Sequence, residues 1–145
     1  MLRVYFYHCL PYQSARPTTE ESERFRKAEA FHAAIERIPN FEVKLGRLVF
    51  RGFSKEDGRP IFEQKRVDVQ LAVDLLTLSY TRQMGTAILV TGDSDFIPAI
   101  QISKMNGVQI ILYHGISNPA HRELMDAADR SVVIDQAFID QVRMR

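Results

Sequence analysis

The chain lacks the means for several kinds of protein. It has one cysteine, Cys9, so no internal disulfide can form, and a reducing compartment follows as the expectation. No apolar run approaches the roughly 18–20 residues of a membrane span. The N-terminal "MLRVYFYHCLPYQ" breaks at Pro11 and has no charged-then-apolar leader pattern. The formal net charge is only +1, so any attraction for a polyanion has to be local. The four histidines, 8, 32, 114 and 121, have no zinc-ligand spacing. There is no G-x-S-x-G, Walker or G-x-G-x-x-G motif, and Cys9 reads as a buried, inert thiol. What is left is a cytoplasmic, single-domain chain of 145 residues, long enough for a real core.

The apolar pattern predicts elements in order. "LRVYFYHC" reads as a strand ending before Pro11. A polar loop then feeds a helix from a cap region around Thr19 to about Arg37. Its apolar face is Phe25, Ala28, Phe31, Ala34, Ile35 and Ile38. "FEVKLGRLVFRGF" alternates in part and turns at Asp57-Gly58, with "PIFEQK" as the return strand. "RVDVQLAVDLLTLSYTRQM" predicts a helix buried on a broad face and ended by Gly85. From residue 86 the pattern is strand "TAILV", helix "DFIPAIQISKMNG", strand "VQIILYH", helix "PAHRELMDAADR", strand "SVVI" and a terminal helix running to Arg145. Short apolar strands alternating with helices predict a parallel sheet covered on both faces, with ligands beyond the carboxyl ends of its strands.

One such end carries "LVTGDSDF". A single aspartate there is explained as a helix cap, with Asp93 or Ser94 in that place. A second carboxylate, Asp95, is not, because like charges so close need neutralising. A hard divalent cation does that, and Mg²⁺ is commonly held by one or two carboxylates together with water and phosphate. The preceding helix adds Asp68 and Asp74. Six residues place them about 120° apart around the axis and roughly 9 Å apart along it, too divergent to chelate one ion together. Asp68 is the favoured ligand. Asp74 is a supporting or structural acid.

Together, "EQKRVDVQLAVDLL", "LVTGDSDFIPAI" and "HRELMDAAD" closely resemble the NYN domain, a branch of the PIN-like nuclease superfamily that includes LabA-type bacterial proteins. The resemblance implies a Rossmann-like three-layer α/β/α sandwich with a mainly parallel sheet, and Mg²⁺- or Mn²⁺-dependent hydrolysis of RNA phosphodiesters. By it, Asp93, Asp95 and Asp68 are the metal ligands, and Asp74 is a further acid of the catalytic group. Lys65, Arg66, Ser94, Thr91 and Arg122 would meet substrate phosphates or metal-bound water. Single-stranded RNA is the implied partner; no membrane is involved, and a homo-oligomer is left open. In this family a first strand usually ends in an I-D-x-x-N-like element and lies inside the sheet. "LRVYFYHCLPY" instead resembles the second strand, so the expectation is a domain incomplete at its N-terminus. The chain would then close the gap by bringing "RVYFYH" beside "AILV", recruit a strand from another chain, or be marginally folded. The alternative function is a non-catalytic RNA-binding or regulatory module with an incomplete metal site. A HAD-type phosphohydrolase ranks low, since no D-x-D lies near the N-terminus.

Overall fold

The computed structural model describes residues 2–116 and 119–143. The last two residues of the expected terminal helix lie outside them. The chain divides into two compact units, Met1–Leu71 and Ala72–Arg145.

In the first unit, strand β1 (Val4–His8) pairs in parallel with β2 (Phe41–Leu45), through helix α1 (Thr19–Glu36). The helix begins one residue earlier than the sequence predicts. Thr18 is the cap, its Oγ1 accepting from the Glu21 N–H at 3.1 Å, while the Glu21 carboxylate accepts from the Thr18 N–H and from the Ser14 hydroxyl. That reciprocal pair satisfies two amides that would otherwise have no partner. The face α1 buries also differs from the expected one. Phe31 and Ile38 are exposed, and His32 is the residue that goes inside.

The rings of Phe6 and His8 from β1 and of Phe31 and His32 from α1 form one cluster, with His8 and His32 centroids 5.2 Å apart. An aromatic strand face thus selects the flat imidazole. The buried His32 Nδ1 has no hydrogen-bond partner among the described residues. Burial first, and then the neighbouring His8, pull the His32 imidazole below its ordinary 6.5, against an opposing pull from Glu36. The unfolded chain therefore takes up this proton first. The contribution to stability is complete above pH 6.5 and is lost as pH falls through the lower folded value. The urea midpoint should fall between pH 7.5 and 5.5, and His32→Phe should flatten that fall. An equal fall in the variant would assign the dependence to other groups.

The expected continuous strand at residues 41–53 is two strands. Gly46 separates β2 from β3 (Arg47–Phe53), which pairs antiparallel with β4 (Pro60–Lys65). A Cβ at Gly46 would run into the Val67 side chain and lie 2.6 Å from the Lys65 carbonyl oxygen, so the chain can cross here only as glycine. The sulfur of Cys9 borders the same spot, and Cys9 is buried as expected. Burial pushes its thiol above the ordinary value, more than hydrogen bonding to the Lys65 backbone lowers it. Helix α2 (Val67–Tyr80) stops at Tyr80, five residues before Gly85, with Arg82 in the left-handed region at φ 54°. Its face is less buried than the sequence implies. Leu75 and Ser79 are inside, while Val73 and Tyr80 are exposed.

The second unit holds a three-stranded parallel sheet in the order β5-β6-β7: Thr86–Val90, Gln109–Gly115 and Arg130–Ile134. After β5 come a 3₁₀ turn at Ser94–Phe96 and helix α3 (Ile97–Met105), with Pro98 in the first turn. Helix α4 (Arg122–Ala127) and helix α5 (Gln136–Val142) complete the unit. The alternating βα pattern is therefore a parallel α/β arrangement, as the spacing requires. Ile110, Leu112, Ile100 and Leu124 are completely buried. Asp129 holds this core in register. One of its oxygens accepts from the Ile110 N–H at 2.7 Å and the other lies 3.0 Å from Lys104 Nζ, which also donates to the Ala127 carbonyl.

Ala87, Leu89, Ile110 and Leu112 share the buried face. On the other, Ile88 and Val90 are exposed, and α5 reaches the sheet through Phe138 against Tyr113. Among the described residues β6 is the hydrogen-bonded neighbour of β5, and β2 that of β1.

Candidate functional site

The acidic loop begins where β5 stops. Its valine and leucine cannot continue past Val90, because Thr91 and Gly92 end the ladder. Thr91 Oγ1 accepts from the Asp93 N–H at 3.1 Å. Asp93 Oδ1 accepts from the Asp95 N–H at 2.9 Å, so Asp93 is the cap of the 3₁₀ turn. These two bonds fold "TGDSD" into a tight corner whose hinge is Phe96, buried at 4% exposure. Asp93 and Asp95 stand exposed at the carboxyl end of a parallel strand. The capping bond uses one oxygen of Asp93 and leaves the other available. Thr91, Asp93, Ser94 and Asp95 are thus brought together as the sequence implied. Thr91 already spends its oxygen as an acceptor inside the loop, and its hydroxyl proton remains to be donated.

In the first unit, Lys65, Arg66 and Asp68 lie within four residues at the junction of β4 with α2. Arg66 sits at φ 78°, and its carbonyl accepts the Gln70 N–H at 2.8 Å, so the helix bonds begin at this residue. Asp68 is exposed in the first turn, where the helix dipole favours a carboxylate. Lys65 lies 3.4 Å from Glu63 and is partly neutralised by it. Asp74 is half-buried on α2 and has an interaction partner. Arg122 begins α4 with its guanidinium 3.6 Å from Asp126, an exposed pair one turn apart. Among the described residues, no three His, Cys, Asp or Glu side chains form a group able to hold a metal ion. The donor chemistry of Asp93 and Asp95 nevertheless suits Mg²⁺, for which two carboxylates with water and phosphate suffice.

A carboxylate pair past the end of a parallel strand stands in a mixed α/β chain with parallel sheets. The chain belongs to the NYN domain family, whose model matches residues 14–135. It is 35% identical over 72 residues to the uncharacterized protein MJ0482 of Methanocaldococcus jannaschii, a match covering 50% of this chain and 30% of that one. The chain therefore spans well under half of this curated relative. The crystal structure of a protein of unknown function, VPA0982 from Vibrio parahaemolyticus, is similar in fold at TM-score 0.59 and 22% identity, over 90% of this chain and 68% of that one. No helix among the described residues is long and apolar enough to cross a membrane.

Proposed function

We propose that the chain is a metal-dependent ribonuclease domain that hydrolyses phosphodiester bonds of single-stranded RNA. The observation that carries this reading is the Asp93–Asp95 pair, set by the Thr91 and Asp93 hydrogen bonds at the carboxyl end of β5 in a NYN domain. Asp93 and Asp95 would hold a Mg²⁺ or Mn²⁺ ion, the capping bond using only one oxygen of Asp93. When bound, the ion supplies charge stabilisation at the scissile phosphate and an activated water. Thr91 and Ser94 donate hydroxyl protons toward water or phosphate oxygens at the loop. Lys65, Arg66 and, more weakly, Arg122 attract the RNA backbone. Asp68 as a further ligand and Asp74 as a supporting acid rest on the family resemblance alone.

A second reading is favoured by one observation, the absence among the described residues of a three-ligand cluster. It makes the chain an RNA-binding module without turnover. Metal separates the two readings. A ligand that binds only the native state stabilises it by about 1.4 kcal/mol at tenfold excess over its dissociation constant. Millimolar Mn²⁺ should therefore raise the thermal midpoint by a few degrees, and Mg²⁺ or Mn²⁺ should switch on cleavage of a labelled single-stranded RNA. A midpoint unmoved by Mn²⁺, with no cleavage, would leave the binding module standing.

A further inference from the structure

The β3–β4 hairpin has an aromatic face that nothing in the carboxylate site uses. Phe50 and Phe53 are three residues apart, a spacing that puts side chains on opposite faces of a regular strand. Their rings nevertheless lie 5.2 Å apart, edge to face. The cause is a bulge. Pairing passes from Phe50↔Phe62 directly to Gly52↔Ile61, and Gly52 takes φ +115°, which a side chain would resist. The extra residue returns Phe53 to the Phe50 face. Phe62 lies 5.8 Å from Phe50, and Tyr12 lies 5.0 Å from Phe62, so four rings share one surface.

A ring cluster of this size normally closes a core. This one stays open, with Phe53 66% exposed and Phe50 38% exposed. The hairpin as a whole is basic, with Arg51 and Lys65 paired to Glu63 on the face opposite the rings and Arg59 paired to Asp57 in the turn. Between residues 47 and 66 the cations are Arg47, Arg51, Lys55, Arg59, Lys65 and Arg66, against the three acids Glu56, Asp57 and Glu63. The segment carries +3 in a chain whose total is +1, so the positive charge is concentrated here. Beside Tyr12 and Arg47 lies a groove of about 380 Å³, also lined by Leu10, Pro11, Phe25 and Leu48.

We propose that this hairpin is a single-stranded nucleic-acid platform, on which bases stack on Phe53 and Phe50 while Lys55 and Arg59, in the turn that follows Phe53, meet the phosphates. It rests on the reading above in taking RNA as the substrate. Charge selects the occupant. A second copy would bring a like-charged rim against this one, whereas a single strand offers both π-faces and negative charge. A duplex hides its bases and is a poorer fit.

The test is fluorescence anisotropy with a labelled 12-nucleotide RNA, on the full chain in EDTA, so that binding is read without cleavage. Phe53→Ala should weaken binding roughly 5- to 150-fold, the usual worth of one stacked base. Phe53→Trp should restore it. Lys55→Gln should lower the slope of log affinity against log salt by about one. The same sequence as a duplex should bind less tightly. Phe53 is exposed, so its thermal midpoint should not move. Unchanged RNA affinity in Phe53→Ala would overturn the platform, whether or not the chain cleaves. So would absence of RNA binding by the unaltered chain, or loss of a dimer in sedimentation with RNA affinity intact. Tight, Phe53-dependent binding without any metal-dependent cleavage would overturn the nuclease reading and leave the platform in place.

Discussion

Asp93→Asn should lose metal-dependent RNA cleavage by on the order of 100-fold or more and keep its fold. Asparagine is as good a cap as aspartate, and its Oδ1 can still accept the Asp95 N–H now held at 2.9 Å. The loop geometry therefore survives, and only the negative charge is removed. Loss of one neutral-for-charged ligand should exceed the 10- to 100-fold typical of changes one shell further out. The cost to stability is at most the few tenths to about 1 kcal/mol that a carboxylate gains at a helix start. Cleavage of a labelled RNA at saturating Mn²⁺, beside a thermal midpoint measured in EDTA, separates the two effects. Retained cleavage would remove Asp93 from the reaction. A collapsed midpoint would show that the carboxylate pair serves the turn rather than the metal.

The largest effect on stability should come from Leu112→Ala. Leu112 is completely buried in β6, the middle strand, between Leu89 on β5 and Ser131 on β7. Strand neighbours on both sides prevent the site from closing over the space left behind, so the cost should lie in the upper part of the roughly 2–5 kcal/mol range for such truncations. That is a large share of the roughly 5–15 kcal/mol by which domains are stable. Urea denaturation followed by far-UV circular dichroism reads it directly. Leu112→Ile, which keeps the volume, should cost less than about 1.5 kcal/mol. Equal costs in the two variants would mean that β-sheet fit, not the cavity, sets the energy.

Local chemistry was legible from the residue order wherever one element could satisfy itself. The strand after Gly85, the stop at Thr91-Gly92, Pro98 in a first helical turn and the Asp57-Gly58 hairpin are each decided within a few residues. The structure repeats them. The acidic loop belongs here too, because the Thr91 and Asp93 side chains accept from the Asp93 and Asp95 N–H groups within it. The same order of residues carried the family through "TGDSDF" and the helix before it. Contacts between distant elements were not legible, since spacing along a chain says which side chains share a face and not what that face meets. Helical periodicity gave α1 an apolar stripe that includes Phe31, and the tertiary structure put His32 inside because an aromatic face of β1 lay opposite. Gly46 read as an ordinary strand residue until Val67 and the Lys65 carbonyl closed around it. Phe50 and Phe53 read as residues on opposite faces, and only the bulge at Gly52 turned them into one surface. Sequence alone determined the elements, their order and the carboxylate loop. Which strands pair, which faces are covered and which rings meet were decided in three dimensions, where packing energy outweighs local preference.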